Sequence, residues 1–350
     1  MWKMEGGVHL DKHLSAGSIP LHSVTPLYGF STDADPLIII GDEVIVTGAC
    51  EEHLQVFEAD DVFVRHVHLF QPQHLLWKTI YLTQDQVASI VASHQELTVE
   101  DNEVTRSDAA KSPAFLTYVL PVVDLLRGLQ LFKPGRLVGG DTSFFFRTHQ
   151  TGCGTLSLSR CSEMSIDYQF VEQFSPRYVL NEAEVPFFLS FFVKFLEVWA
   201  LARKYPQIDF AISEYAKESG LYGGTLELVV SLEALLVPEE EGIAFRLAQR
   251  VANLIGQEAT SRKELFGQIR DFYSVRSKIV HGAQFKKKEI NALQQLDSLR
   301  EITRRVLLSI LALATEMDLT NGTSALFNDM CLDDDLRRSI QSKAAVLLHC

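Results

Sequence analysis

The chain has 350 residues, enough for two domains, and its 47% hydrophobic and 22% charged content is that of a globular protein with sizeable cores. A net charge of −13 excludes a nucleic-acid coat protein. The opening residues Met1 to Gly7 lack the apolar stretch of a signal peptide. The longest apolar runs are 187–202, interrupted by Lys194 and Glu197, and 306–314. Both fall short of the about 20 residues that a bilayer demands, so a cytoplasmic protein without membrane contact is expected.

Residues 1–180 read as a mixed α+β domain. The β-branched runs 36–41 and 43–48 flank Gly41-Asp42, a hairpin signal, and 61–70 alternates with His66 and His68 on one face. Residues 77–82 read as a further strand, 84–94 as a short helix and 96–113 as an acidic, turn-rich loop. Helical spacing over 114–132 stops at Lys133-Pro134-Gly135, and 137–139, 142–148 and 155–158 read as buried strands.

Residues 181–350 read as an all-α helical bundle. Asn181 and Glu184 have the form of a capping box opening a long helix that reaches about Lys204. Further helices are expected over 225–237, from 239 or 240 to 255, and over 261–281 behind a second capping box, Ser261 with Glu264. A long helix over 288–317 and a last one over 333–349 behind three aspartates complete the bundle.

The chemistry-bearing candidates divide into weak and sharp. Cys50, Cys153, Cys161, Cys331 and Cys350 form no Cys-x-x-Cys pair, so reduced, mostly buried thiols are expected and a zinc ribbon is not. His66, His68 and His74 lack a spacing-fixed third ligand and carboxylate, which favours a polar strand face over a metal centre. Gly220-Leu221-Tyr222-Gly223-Gly224 precedes a helix but has no Walker lysine, and reads as a loop entry.

The sharp candidates lie on the helix over 261–281. Leu265, Ile269, Phe272, Arg276 and Ile279 make one stripe with a guanidinium in it, and His281 precedes the helix-stopping Gly282. In the helix over 225–237, Glu233 is the one charge in the stripe of Leu226, Val229, Val230, Leu236 and Val237. A structural ion pair between Glu233 and either Arg276 or Arg246 is the plain explanation. From Arg262 to Arg305, eleven basic residues stand against five acidic ones, a local excess that suits either a polyanion or a solvated helix face.

The run Tyr273-Ser274-Val275-Arg276-Ser277-Lys278-Ile279-Val280-His281-Gly282 resembles the Tyr-x-x-Arg-Ser-x-x-Val-His-Gly signature of Apea-like HEPN domains. Leu232-Glu233-Ala234-Leu235-Leu236 and the arginine-bearing helix at Phe245–Ala252 are similar to that family's upstream helices. The likeness spans 183–320, with an echo at Gly128–Gly135, and departs from the family at Gly220–Gly224, where relatives carry a charged segment. It implies a metal-independent endoribonuclease of abortive-infection or toxin type, acting as a homodimer without a cofactor. Arg276 and His281 are the implied catalytic residues, with Glu233, Tyr273 and Ser277 in support and Lys278, Lys286, Lys287 and Lys288 along the RNA. A sensing or substrate-recognising role for residues 1–180, and a phage-derived trigger or inhibitory partner, are further expectations. The alternatives are a non-catalytic HEPN module binding RNA, a nucleotide or a protein, and, more remotely, a metal-dependent hydrolase on the first domain's histidines.

Overall fold

The computed structural model describes residues 19–33, 37–40, 43–47, 74–83, 85, 120–139, 143–146, 178–217, 220–239, 241–319 and 323–347. The expected strands at 61–70 and 155–158, nearly all of the helix over 84–94 and the loop over 96–113 lie outside them. Two compact units emerge, Met1–Leu126 with Arg136–Val185, and Arg127–Gly135 with Pro186–Cys350. The division falls a few residues beyond the expected 180 and gives the helical unit a short piece of the first half.

The first unit holds the strands β1 (Ile19–Tyr28), β2 (Phe30–Thr32), β3 (Leu37–Ile40), β4 (Glu43–Thr47), β5 (His74–Leu82), β6 (Val138–Gly139), β7 (Ser143–Phe146) and β8 (Tyr178–Leu180). β3 and β4 pair antiparallel, with Ile40 opposite Glu43, as the expected hairpin requires. The order runs β3-β4-β5-β1, and β6 and β7 both pair along the far edge of β1. The ten-residue β1 is the middle of this sheet, although no strand is expected there. Pro20 and Pro26 mask it, because proline lacks the N–H of a central strand. Their ladder partners among the described residues are Tyr81 and Leu75 of β5 alone. β2 and β8 form a separate parallel pair.

The helix α1 (Leu120–Phe132) crosses the division and stops at Lys133-Pro134-Gly135 as its sequence requires. After it come α2 (Val185–Ala202), α3 (Pro206–Ala216), α4 (Leu221–Leu236), α5 (Ile243–Ile255), α6 (Ala259–His281), α7 (Lys287–Leu293), α8 (Leu296–Glu316), α9 (Ser324–Leu332) and α10 (Asp334–Ala344). Phe188, Phe191, Phe192, Phe195 and Trp199 form an aromatic ridge along the inner face of α2, with stacked centroids 5.7–6.2 Å apart. Gly128 lies against that ridge, since a Cβ there would sit 2.5 Å from a Phe192 ring carbon. The second unit has α8 at its centre, where every residue from Val306 to Ala314 is buried.

Several boundaries depart from the sequence pattern. α3 and α9 were not expected, and the single helix over 288–317 is two, broken at Gln294-Gln295. Ala292, Leu293, Leu296 and Leu299 are buried across that break, so the apolar pattern runs through it unmarked. α6 begins at Ala259, and Ser261 sits in its first turn, accepting from the Glu258 N–H at 3.2 Å. α4 begins at Leu221, so Gly223 and Gly224 are helical rather than loop. The capping bond from the Asn181 N–H to Glu184 is present at 2.9 Å, closing a short 3-10 turn ahead of α2. Counted with that turn, Glu182–Ala202 is 21 residues long and apolar enough to span a bilayer by length and composition. This corrects the shorter sequence count. The aromatic ridge is the alternative use of the same apolarity, as a core face.

Candidate active site

Arginines order this unit before any question of chemistry arises. A helix leaves its last carbonyls without intrahelical donors, and here guanidinium groups, buried at Arg250 and Arg300 and half-buried at Arg304 and Arg305, supply them. Arg304 of α8 donates to the Leu131 and Phe132 carbonyls that end α1, at 3.0 and 3.1 Å. Arg300 reaches the Tyr215 carbonyl at the end of α3 (3.2 Å), and Arg305 the Ile255 carbonyl at the end of α5 (3.0 Å). Arg250 of α5 donates to the Leu236 carbonyl closing α4, while a fork of two 2.7 Å bonds ties it to Glu239. At 1% exposure Arg250 is the most deeply buried charge described. Its carboxylate partner is held at about 2, chiefly by the Arg250 hydrogen bonds. Sequence reasoning missed this pair, yet the signal was there: Leu247, Arg250, Val251 and Leu254 form an apolar stripe with one arginine in it. The same accounting moves Arg300, Arg304 and Arg305 out of any polyanion-facing set.

α6 carries the sharp candidates. Leu265, Ile269, Phe272 and Val275 are buried, and the stripe surfaces toward Arg276 and Ile279, both half-buried. The helix stops because Gly282 takes φ 62°, a left-handed conformation that glycine tolerates. Its N–H donates to the Ile279 carbonyl (3.4 Å) and the Ala283 N–H to the Lys278 carbonyl (3.0 Å), the two bonds of a Schellman motif. His281 is the last helical residue and is exposed.

Arg276 faces α4. Its Nη2 donates to Glu233 Oε2 at 3.2 Å, and its guanidinium carbon lies 5.8 Å from the Tyr273 ring centroid. Arg246 pairs instead with Glu239, at 3.2 Å. The Arg276–Glu233 contact is half of the bidentate fork an arginine can offer a carboxylate. Arg276 Nε and Glu233 Oε1 are both buried without a hydrogen-bond partner among the described residues. Burial raises the Glu233 carboxyl above its ordinary range, and the charge and hydrogen bond of Arg276 pull it down only in part. The attraction therefore fails to offset the loss of water, and the pair is weak.

The opposite flank of α6 faces α7 and centres on Glu289, which is 6% exposed and which sequence reasoning missed. Its carboxylate accepts from Ser274 Oγ (3.0 Å) and from the Lys286 N–H (2.8 Å), and pairs with Lys278 Nζ at 3.2 Å. Burial acts to raise this carboxyl, but Lys278, the Lys286 N–H and Ser274 together hold it at about 2. Lys278 also donates to the Gln284 carbonyl (3.0 Å), and Lys288 is paired with Asp271. Two of the four expected RNA-binding lysines are thus engaged within the chain. The side chains of Lys286 and Lys287 are exposed and make no ion pair among the described residues.

Ser277 is half-buried, and no bond among the described residues joins it or His281 to Arg276. Five residues of helix turn through about 140°, so Arg276 and His281 address different directions within one chain. Tyr273 and Glu233 gather around Arg276, whereas Ser277 and His281 stand apart from that cluster.

In the first unit, His74 is buried, with its ring edge-on to Phe30 at 5.2 Å, and burial lowers its pKa. His66 and His68 lie outside the described residues, among which no three metal-ligating side chains gather. Cys331 is free and exposed, and the other four cysteines, on which the expectation of mostly buried thiols rests, lie outside the described residues.

No family model, no curated protein and no solved structure matches the chain.

Proposed function

We propose that this protein is a metal-independent endoribonuclease of the HEPN kind, built on α6 and acting as a dimer. The observation that carries the proposal is that one helix end presents both an exposed histidine and a half-buried arginine held by a weak bridge. An imidazole exchanges protons near neutral pH, and a guanidinium stabilises the charge that grows on a phosphate. His281 would take the proton of an RNA 2′-hydroxyl as its oxygen attacks the adjacent phosphorus. The bond to the 5′-oxygen breaks, and that oxygen collects a proton from His281 of the partner subunit. The products are a 2′,3′-cyclic phosphate and a 5′-hydroxyl. Because Arg276 and His281 diverge within one chain, a two-fold arrangement is the natural way to bring both groups to one phosphate.

A second reading has its own support. Arg276 is already bound to Glu233, as in a non-catalytic module that uses the pair for packing and binds RNA, a nucleotide or a protein elsewhere. Incubation of the full chain with RNA in the presence of a chelator separates the two. Cleavage by the wild type that is lost in Arg276→Ala and in His281→Ala supports the enzyme. Cleavage that survives both substitutions removes these residues from the site, and a wild type that binds RNA without cutting it supports the second reading. The abortive-infection or toxin role belongs with the enzyme reading, and a growth arrest that depends on His281 is its test.

A further inference from the structure

The connection that follows His281 carries one ring of an aromatic pair to which the proposed chemistry gives no role. Tyr222, in the first turn of α4, stacks on Phe285 of the α6–α7 connection, with centroids 5.7 Å apart and planes 18° from parallel. Tyr222 is 54% exposed. A tyrosine that only sealed the junction of two elements would bury its ring, as Tyr205 and Tyr215 do at 2% each. The position of Phe285 is fixed by the loop it ends. Ala283 is bonded back to Lys278, and the Lys278 ammonium holds the carbonyl of Gln284, the residue before Phe285. Phe285 is four steps along the chain from His281, so their Cα atoms lie within about 14 Å of each other even if the chain were fully extended. Single-stranded nucleic acid spans that distance in a few nucleotides.

The charge around the pair suits a phosphate backbone. On the two helices that flank the connection, Asp271 and Glu289 are each paired with a lysine, Lys288 and Lys278. The exposed ammonium groups of Lys286 and Lys287 follow Phe285 directly. A stacking aromatic next to a basic track is how proteins hold single strands without reading their sequence.

We propose that Tyr222, braced by Phe285, is a stacking platform for one base of single-stranded RNA whose backbone runs past Lys286 and Lys287 toward His281. The proposal rests on RNA being the ligand of this protein, and its test separates the two claims. Full-length protein carrying His281→Ala, which prevents cutting, is titrated with a labelled single-stranded oligoribonucleotide and with an abasic ribose-phosphate oligomer of equal length. Tyr222→Ala is expected to weaken RNA binding about tenfold and Tyr222→Trp to retain it. The abasic oligomer should bind both proteins weakly and alike. Binding of RNA that is indifferent to Tyr222→Ala overturns the platform and leaves the RNA reading standing. No RNA binding by a folded protein overturns both. Equal loss in Tyr222→Ala and Tyr222→Trp, with a lowered melting temperature, identifies the stack as structural and also overturns the platform.

Discussion

Replacing Glu233 by glutamine isolates the bridge on which the proposed chemistry depends. At 3.2 Å and an effective dielectric of ~20, the bare attraction between Arg276 and Glu233 is about 5 kcal/mol. A pair with side chains 25% and 18% exposed retains far less than that, on the order of 1 kcal/mol or less once desolvation is counted. The direction of the Glu233 shift fixes the sign. Its folded pKa lies above the ordinary value of 4.5, so the native state binds the proton more tightly than the unfolded chain. Native stability therefore falls as pH rises from 4.5 through the folded pKa. Glu233→Gln mimics the protonated carboxyl and keeps an acceptor for Arg276. At pH 7 it should match or slightly exceed the wild type, by about 1 kcal/mol at most. The difference should vanish below the ordinary pKa. Urea unfolding of both proteins at pH 7 and pH 4 measures it. A loss of 3 kcal/mol or more at pH 7, the size expected when a strong buried bridge is broken, would refute the reasoning. It would make Arg276 a packing element, costly to release to any phosphate.

The other predictions are independent of that bridge. Arg250→Met strips the Leu236 carbonyl of its buried donor and leaves Glu239 only its longer bridge to Arg246, so it should destabilise by roughly 3–5 kcal/mol, read from chemical unfolding. Glu289 has its carboxyl held at about 2, so the stability it contributes is present above its ordinary pKa and is lost as pH falls from 4.5 toward 2. Glu289→Gln should flatten that part of the stability–pH curve and release Lys278. Gly282→Ala meets open space and only the left-handed backbone resists it, so unfolding should report a loss of about 1 kcal/mol. Phe272→Ala, by contrast, opens a cavity under α6 and should lose about 3–5 kcal/mol.

The helical half was largely legible because its signals are local. The arginine in the α6 stripe and the glycine stop after His281 could be read directly, and the Schellman bonds follow from that glycine. The pairing of opposite charges between α4 and α6 was legible as a possibility, but the choice between Arg276 and Arg246 was not, since it depends on how the helices face one another. α3 was missed although Ile208, Ala211, Ile212 and Tyr215 keep helical spacing. Its start signal is Pro206 at the first helical position alone, with no side-chain cap at Tyr205 to reinforce it, so it is easily taken for the end of α2. β1 was hidden by prolines whose missing donors matter only once the register is known. Glu289 was unreadable because a glutamate after three lysines resembles any solvated run, and only the fold of the α6–α7 turn shows it buried.

The fate of the scissile ribose tests the catalytic claim most directly. A short RNA is prepared with one cleaved position mapped, and a second copy carries 2′-deoxyribose at that nucleotide alone. If His281 activates the 2′-hydroxyl, the all-ribose strand yields a 2′,3′-cyclic phosphate and a 5′-hydroxyl with chelator present, and the substituted strand stays intact at that position. Cutting at the deoxyribose position, or a 5′-phosphate product, would contradict the proposal and point to an activated water instead.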